Sequence, residues 1–159
     1  MSYSLTYLGH ALAGLDQPEM ATDVYKKALW LRQEMKQPHL AMEILAGLAE
    51  VALMQNKLEL AGTYIKELLA WFENRDKSRI DNLFWVSLKS YRVLSAVAQN
   101  YPYAAERAQA ILNTAYTMLQ EQAAQLNHEK VRANFLDNIT IHGDLIAAWE
   151  SREVFSAEP

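Results

Sequence analysis

Residues 5–28, LTYLGHALAGLDQPEMATDVYKKA, and residues 45–68, LAGLAEVALMQNKLELAGTYIKEL, match one another at an offset of 40. Leu5 falls on Leu45, Leu8 on Leu48, Gly9 on Ala49, Leu12 on Ala52, Ala21 on Ala61, Tyr25 on Ile65 and Ala28 on Leu68. Within each unit the apolar and small positions run i, i+3, i+4, i+7, pause at a polar turn, and run again. Each unit therefore reads as two antiparallel helices, and a fixed period of this length is the signature of stacked helical hairpins.

The turns repeat with the same offset. Asp16-Gln-Pro-Glu19 and Asn56-Lys-Leu-Glu59 both have the form of an N-cap residue followed three positions later by Glu. Asp16 and Asn56 are accordingly expected to accept from the open N–H groups of the second helix of each hairpin. Pro18, Pro38 and Pro102 stand near expected helix starts, where a missing N–H costs nothing. The pattern predicts helices at about 3–14, 17–35, 39–55, 57–73, 81–98, 102–126, 129–137 and 143–153. Gly143 is read as relaxing a turn, with Asp144 capping the helix after it. The polar stretch 73–81 reads as a loop.

Leu5-x-x-Leu8-Gly9-x-x-Leu12 followed by Ala21-x-x-x-Tyr25-x-x-Ala28 resembles the signature of a tetratricopeptide repeat, and Leu45, Leu48, Ala49, Ala52, Ala61, Ile65 and Leu68 repeat it. The pitch of 40 departs from the usual 34, and Gln33 replaces the usual closing proline. A third hairpin is degenerate: one register places Leu88, Tyr91, Ala104, Ala108 and Ile111 on the signature but sets Arg92 where a small residue belongs, and the register one later is no better. Glu129 to Ile139 and the short helix ending at Trp149 resemble the close of tetratricopeptide regions at the C-termini of large bacterial signalling and transcription-regulator proteins.

The resemblance implies an all-α fold, a right-handed superhelical array of antiparallel hairpins with C-terminal capping helices. The expected organisation is one domain over 1–159, with hairpins at about 2–37, 39–73 and 81–126, a cap at 128–153, and a longer parent protein. The hairpin crossing explains the small residue at Gly9 and Ala49, since helices approaching to about 8–10 Å leave no room for more. Trp30, Trp71, Phe72, Phe84, Trp85 and Trp149 are expected as core between hairpins.

The rest of the composition supports a soluble, cytoplasmic chain. Ala (23) and Leu (22) dominate its 159 residues, while Gly (5) and Pro (4) are scarce, which favours helices throughout. There is no cysteine, which removes disulfides, thiolate catalysis and cysteine-based zinc sites. The net charge of −4 sits in the last segment, where three basic residues stand against seven acidic ones from 121 onward. No Lys/Arg stripe forms, so neither nucleic acid nor membrane is an expected partner. His10, His39, His128 and His142 lack metal-ligand spacing, the glycines form no phosphate loop, and no serine sits in a nucleophile elbow. The expectation is a non-enzymatic chain without cofactor or metal.

The usual groove positions of the family, carried onto this sequence, are Tyr3, Thr6, His10, Ala13, Glu43, Ala46, Glu50, Leu53, Met54 and Lys89, with Val86 and Val93 beside Lys89. Members that clamp a peptide carboxylate use Lys, Arg and Asn there. This set is apolar and weakly acidic instead, with Glu50 expected to be exposed, and it suits a helix or a basic, apolar segment of a partner protein or of the parent chain. Self-association through the first hairpin, as a homodimer, is the alternative.

Overall fold

The computed structural model describes residues 2–74, 80 and 82–152, and among them every regular element is helical. Helix α1 spans Ser2–Gly14, α2 Pro18–Glu34, α3 Met42–Met54, α4 Leu58–Asn74, α5 Leu83–Val97, α6 Pro102–Ala124, α7 Glu129–Asp137 and α8 Thr140–Glu150; a 3₁₀ turn, Pro38–Ala41, leads into α3. Most of the loop expected at 73–81, and Glu153 and Glu158 of the acidic end, lie outside the described residues.

Prolines open α2, the 3₁₀ turn and α6, as the sequence implies. The cap reading of Asp16 and Asn56 is corrected. Gln17 is the N-cap of α2 and makes no side-chain cap bond, while Asp16 and Asn56 sit one step earlier with φ of 57° and 56°. In that left-handed conformation they close the preceding helix: Asp16 N–H donates to Ala13 O at 3.1 Å and Gln17 N–H to Leu12 O at 2.9 Å. The same pair of bonds joins Asn56 to Leu53 and Lys57 to Ala52. This is a Schellman closure, and Asn and Asp are the non-glycine residues that tolerate it best. Lys36 repeats it at the end of α2 with φ 52°.

The start of α8 is also corrected. It begins at Thr140, so Gly143 and Asp144 are helical residues rather than turn and cap. His142 is buried there, its ring beside Phe84 and Phe135 and its Nδ1 bonded to the Phe135 carbonyl at 2.7 Å. That anchor fixes α7 against α8 and holds the first turn in place.

Helices pack in chain order as α1 with α2, α3 with α4, and α5 with α6, and α3 touches α1, α2, α4 and α5. Residues Met42–Ala49 of α3 are buried on every side, apolar or small throughout except for Glu43. Ala21, Tyr25 and Ala28 are buried, and so are their counterparts Ala61, Ile65 and Leu68. Ile44, Leu48 and Val51 of α3 pack on Leu12, Ala21, Tyr25 and Ala28 of the first hairpin. Val93, Leu94 and Val97 of α5 pack in the same way on Ala52, Ala61 and Ile65 of the second.

The third hairpin shows why its pattern is degenerate. Residues 15–17 and 55–57 separate the helices of the first two hairpins, whereas 98–101 separate α5 from α6, one residue more, with no left-handed residue. Ala104, Ala108 and Ile111 are buried where the signature puts them, but α5 is displaced by one position: Ser90, Val93 and Leu94 are buried and Arg92 is exposed. The two helices each carry an intact face, out of step with one another. Beyond them, Leu145 of α8 joins Leu88, Leu112 and Leu119, and Trp149 stacks on Tyr116 at 3.9 Å. Arg132 of α7 donates to the Ala123 and Leu126 carbonyls at 3.1 and 2.9 Å, satisfying the end of α6.

Candidate binding groove

Tyr25 organises the site from behind. It stands on α2, and its ring runs between α1 and α3 at Gly9 and Gly47. A Cβ on Gly9 would lie 2.4 Å from the Tyr25 Cε1, and one on Gly47 would lie 2.5 Å from its Cζ. Glycine is required at both because the ring fills the space of a side chain. Gly9 thus answers to Tyr25 as well as to the helix crossing, and the role of Gly47 is not visible in the 40-residue match.

The Tyr25 hydroxyl emerges on the far side within 2.6 Å of His10 Nδ1, and His10 Nε2 lies 2.9 Å from Glu43 Oε1. Asn82 Nδ2 donates to the same Glu43 oxygen at 2.6 Å. In the tautomer that donates Nε2–H to the Glu43 carboxylate, Nδ1 accepts a hydrogen bond from the Tyr25 O–H. Glu43 is 4% exposed, and its bonds to His10 and Asn82 offset its burial. Burial raises the Tyr25 pKa above its ordinary value, and the negative charges of Glu50 and then Glu43 raise it further. The His10 ring meets Trp85 at 4.3 Å between centroids, so α1 and α5 touch across the face of α3.

That contact divides the expected groove. Thr6, Glu43 and Ala46 are buried, and Val86 and Val93 with them, so this half presents no surface to a ligand. Tyr3 is half exposed, with the Arg32 guanidinium 4.2 Å from its ring centroid. Leu53 packs into the core between the second and third hairpins. His10, Ala13, Glu50, Met54 and Lys89 do come together. With Gly14, Tyr25 and Trp85 they line an open cavity of about 330 Å³, drawn from α1, α3 and α5 with the Tyr25 hydroxyl in its floor.

Within it Lys89 pairs with Glu50, and its ammonium lies 5.3 Å from the Trp85 ring centroid. Glu50 is therefore half-buried and engaged, not freely exposed. The sequence reading assigned Trp85 to the core and passed over Tyr25 and Gly14 as lining residues. Trp85 stands four positions before Lys89, on the same helix face, which is the signal that could have found it. Trp30 also departs from the core expectation, at 57% exposed.

Both ring nitrogens of His10 are hydrogen-bonded, one to the Tyr25 hydroxyl and one to Glu43. Among the described residues no three His, Asp or Glu side chains gather as metal ligands. No described helix is long and apolar enough to cross a membrane. A second cavity of about 300 Å³ lies between α4, α5 and α6 and is mainly aliphatic and aromatic, with Leu69, Phe72, Ile111 and Met118. Comparison with known protein families, with curated proteins and with solved structures gives no match.

Proposed function

We propose that this chain is a non-catalytic interaction module of tetratricopeptide type, which holds a segment of a partner protein, or of its own parent chain, against the inner helices. The observation that carries this reading is the joint lining of one open cavity by α1, α3 and α5, with apolar walls at Ala13, Gly14, Met54 and Trp85 and polar groups at Glu50 and Lys89. A preformed concave surface of mixed polarity binds without the cost of ordering loops. The 40-residue repeat supports the superhelical arrangement. The resemblance of the 129–149 segment supports a place in a cytoplasmic bacterial signalling or transcription regulator, where occupancy of the groove would bias an attached effector domain.

Gly14 offers a clean test. A Cβ there meets nothing within 4 Å, its φ is not positive, and it lines the cavity. Gly14→Trp should fill the groove and leave the melting temperature unchanged. Peptides selected from a displayed library on the wild-type chain should then lose about tenfold or more in affinity for the variant. Equal binding to both would sink the groove reading.

A second reading, self-association, is favoured by the edge of the first hairpin. Leu8 is 47% exposed where its counterpart Leu48 is fully buried under α2, and Leu15 and Met20 beside it are also exposed. Light scattering over a concentration series tests this, since a monomer at high micromolar concentration removes it.

A further inference from the structure

The groove reading can be taken one step further, to the chemistry of the side chain the cavity accepts. We propose that it is built for an arginine of the partner segment, which displaces Lys89 from Glu50 and lays its guanidinium against Trp85. This rests on the groove reading above.

Three features point the same way. First, the chain already places a cation there: the Lys89 ammonium lies over Trp85 and against Glu50, on a wall that satisfies a positive charge by one aromatic face and one carboxylate. Second, a buried carboxylate stands behind the cavity: Glu43 is bonded to Nε2 of His10, which lines it, and accepts from Asn82. Third, part of the lining is apolar: Ala13, Gly14 and Met54 stand in the same cavity as the charged pair, which suits an aliphatic stem that carries its charge at the tip.

Arginine fits better than lysine on each count. Its planar head can take both oxygens of Glu50 and stack on an indole at the same time, and it leaves water more readily than an ammonium. Lys89 is then an internal placeholder, which keeps Glu50 paired while the groove is empty and yields to a better donor.

The experiment uses the intact chain, ¹⁵N-labelled, with the Trp85 indole N–H as reporter, assigned by Trp85→Phe. The probes are N-acetyl-arginine amide, its neutral isostere N-acetyl-citrulline amide, and N-acetyl-leucine amide. Arginine amide should shift the Trp85 signal with saturation and bind about tenfold more tightly than citrulline amide. Lys89→Met, which keeps the stem and removes the competitor, should strengthen arginine binding about fivefold or more, and Glu50→Gln should weaken it as much. If Lys89→Met does not fold, Lys89→Gln takes its place, and the comparison of arginine with citrulline on the wild-type chain decides alone. Equal response to arginine and citrulline, or weaker arginine binding by a folded Lys89 variant, overturns the proposal. A response to leucine amide without one to arginine amide leaves the groove standing and removes the arginine assignment. Silence toward all three counts against both.

Discussion

Replacing Gly9 by alanine sets two physical effects against each other. In the middle of α1, removing a glycine should stabilise the helix by about 1 kcal/mol through backbone entropy. The structure reverses the sign, because the new methyl would stand 2.4 Å from Cε1 and 2.6 Å from Cδ1 of Tyr25. The ring cannot retreat toward α3, since Gly47 already lies against its other side. Overpacking of this kind costs about 1–3 kcal/mol, which exceeds the helix gain. The net effect is therefore a loss of up to about 2 kcal/mol, read as a fall in melting temperature of about 2–4 °C per kcal/mol for a chain of this length. The second hairpin supplies the control: at the equivalent place Ile65 stands opposite Ala49, and all of it is buried. In a Tyr25→Ile background, Gly9→Ala should turn stabilising by about 1 kcal/mol, so the double-mutant cycle closes with a coupling of about 1–3 kcal/mol. Urea and thermal denaturation of the four proteins measure it. If Gly9→Ala raises stability in the wild-type background, the Tyr25 ring does not lie between α1 and α3, and the chain from Tyr25 through His10 to Glu43 has no basis.

Glu50→Lys would bring a second ammonium against Lys89 in a half-buried site, and should lower stability by about 1–2 kcal/mol by thermal melt, whereas Glu50→Gln should cost less. Because the Tyr25 pKa in the folded chain is raised above its unfolded value of about 10, the folded state keeps that proton when the unfolded state has lost it. Its contribution to stability is therefore complete below pH 10 and is lost as pH climbs from there toward the folded value. Urea midpoints at about pH 9 and about pH 11 should fall more steeply for the wild type than for Tyr25→Phe; Tyr64, raised in the same direction by burial and by Glu67, adds a smaller slope to both. Asn56→Gly should leave stability unchanged or higher while Asn56→Thr should cost about 1–2 kcal/mol, because threonine serves well as an N-cap but poorly at φ 56°. Equal stability of those two variants would return Asn56 to the N-cap role.

How much of this was legible depends on whether a feature repeats and on how far its contacts reach. The hairpins were readable because Ala21, Tyr25 and Ala28 share a period and an offset with Ala61, Ile65 and Leu68, and burial follows that periodicity directly. The turns were located well but the N-cap was read one residue early: an Asn or Asp between two helices suits both an N-cap and a left-handed closure, and only the φ of 56–57° separates them. The third hairpin lost its match through a single extra residue among 98–101, which shifts one helix face against the other while leaving each helix sound.

The groove was harder, since positions carried over from a family assume a concave face open along its length. Here Thr6, Glu43 and Ala46 are buried and Trp85 reaches His10 across α3, a contact between helices some 75 residues apart that no local pattern encodes. The residues that do line the cavity combine five of the expected groove positions with places where the two repeats differ: a glycine at 14 where the second hairpin has Met54, and a tyrosine at 25 where it has Ile65. Each departure opens or polarises the cavity. The repeat builds the wall, and the places where the chain breaks its own repeat set the shape and polarity of that wall.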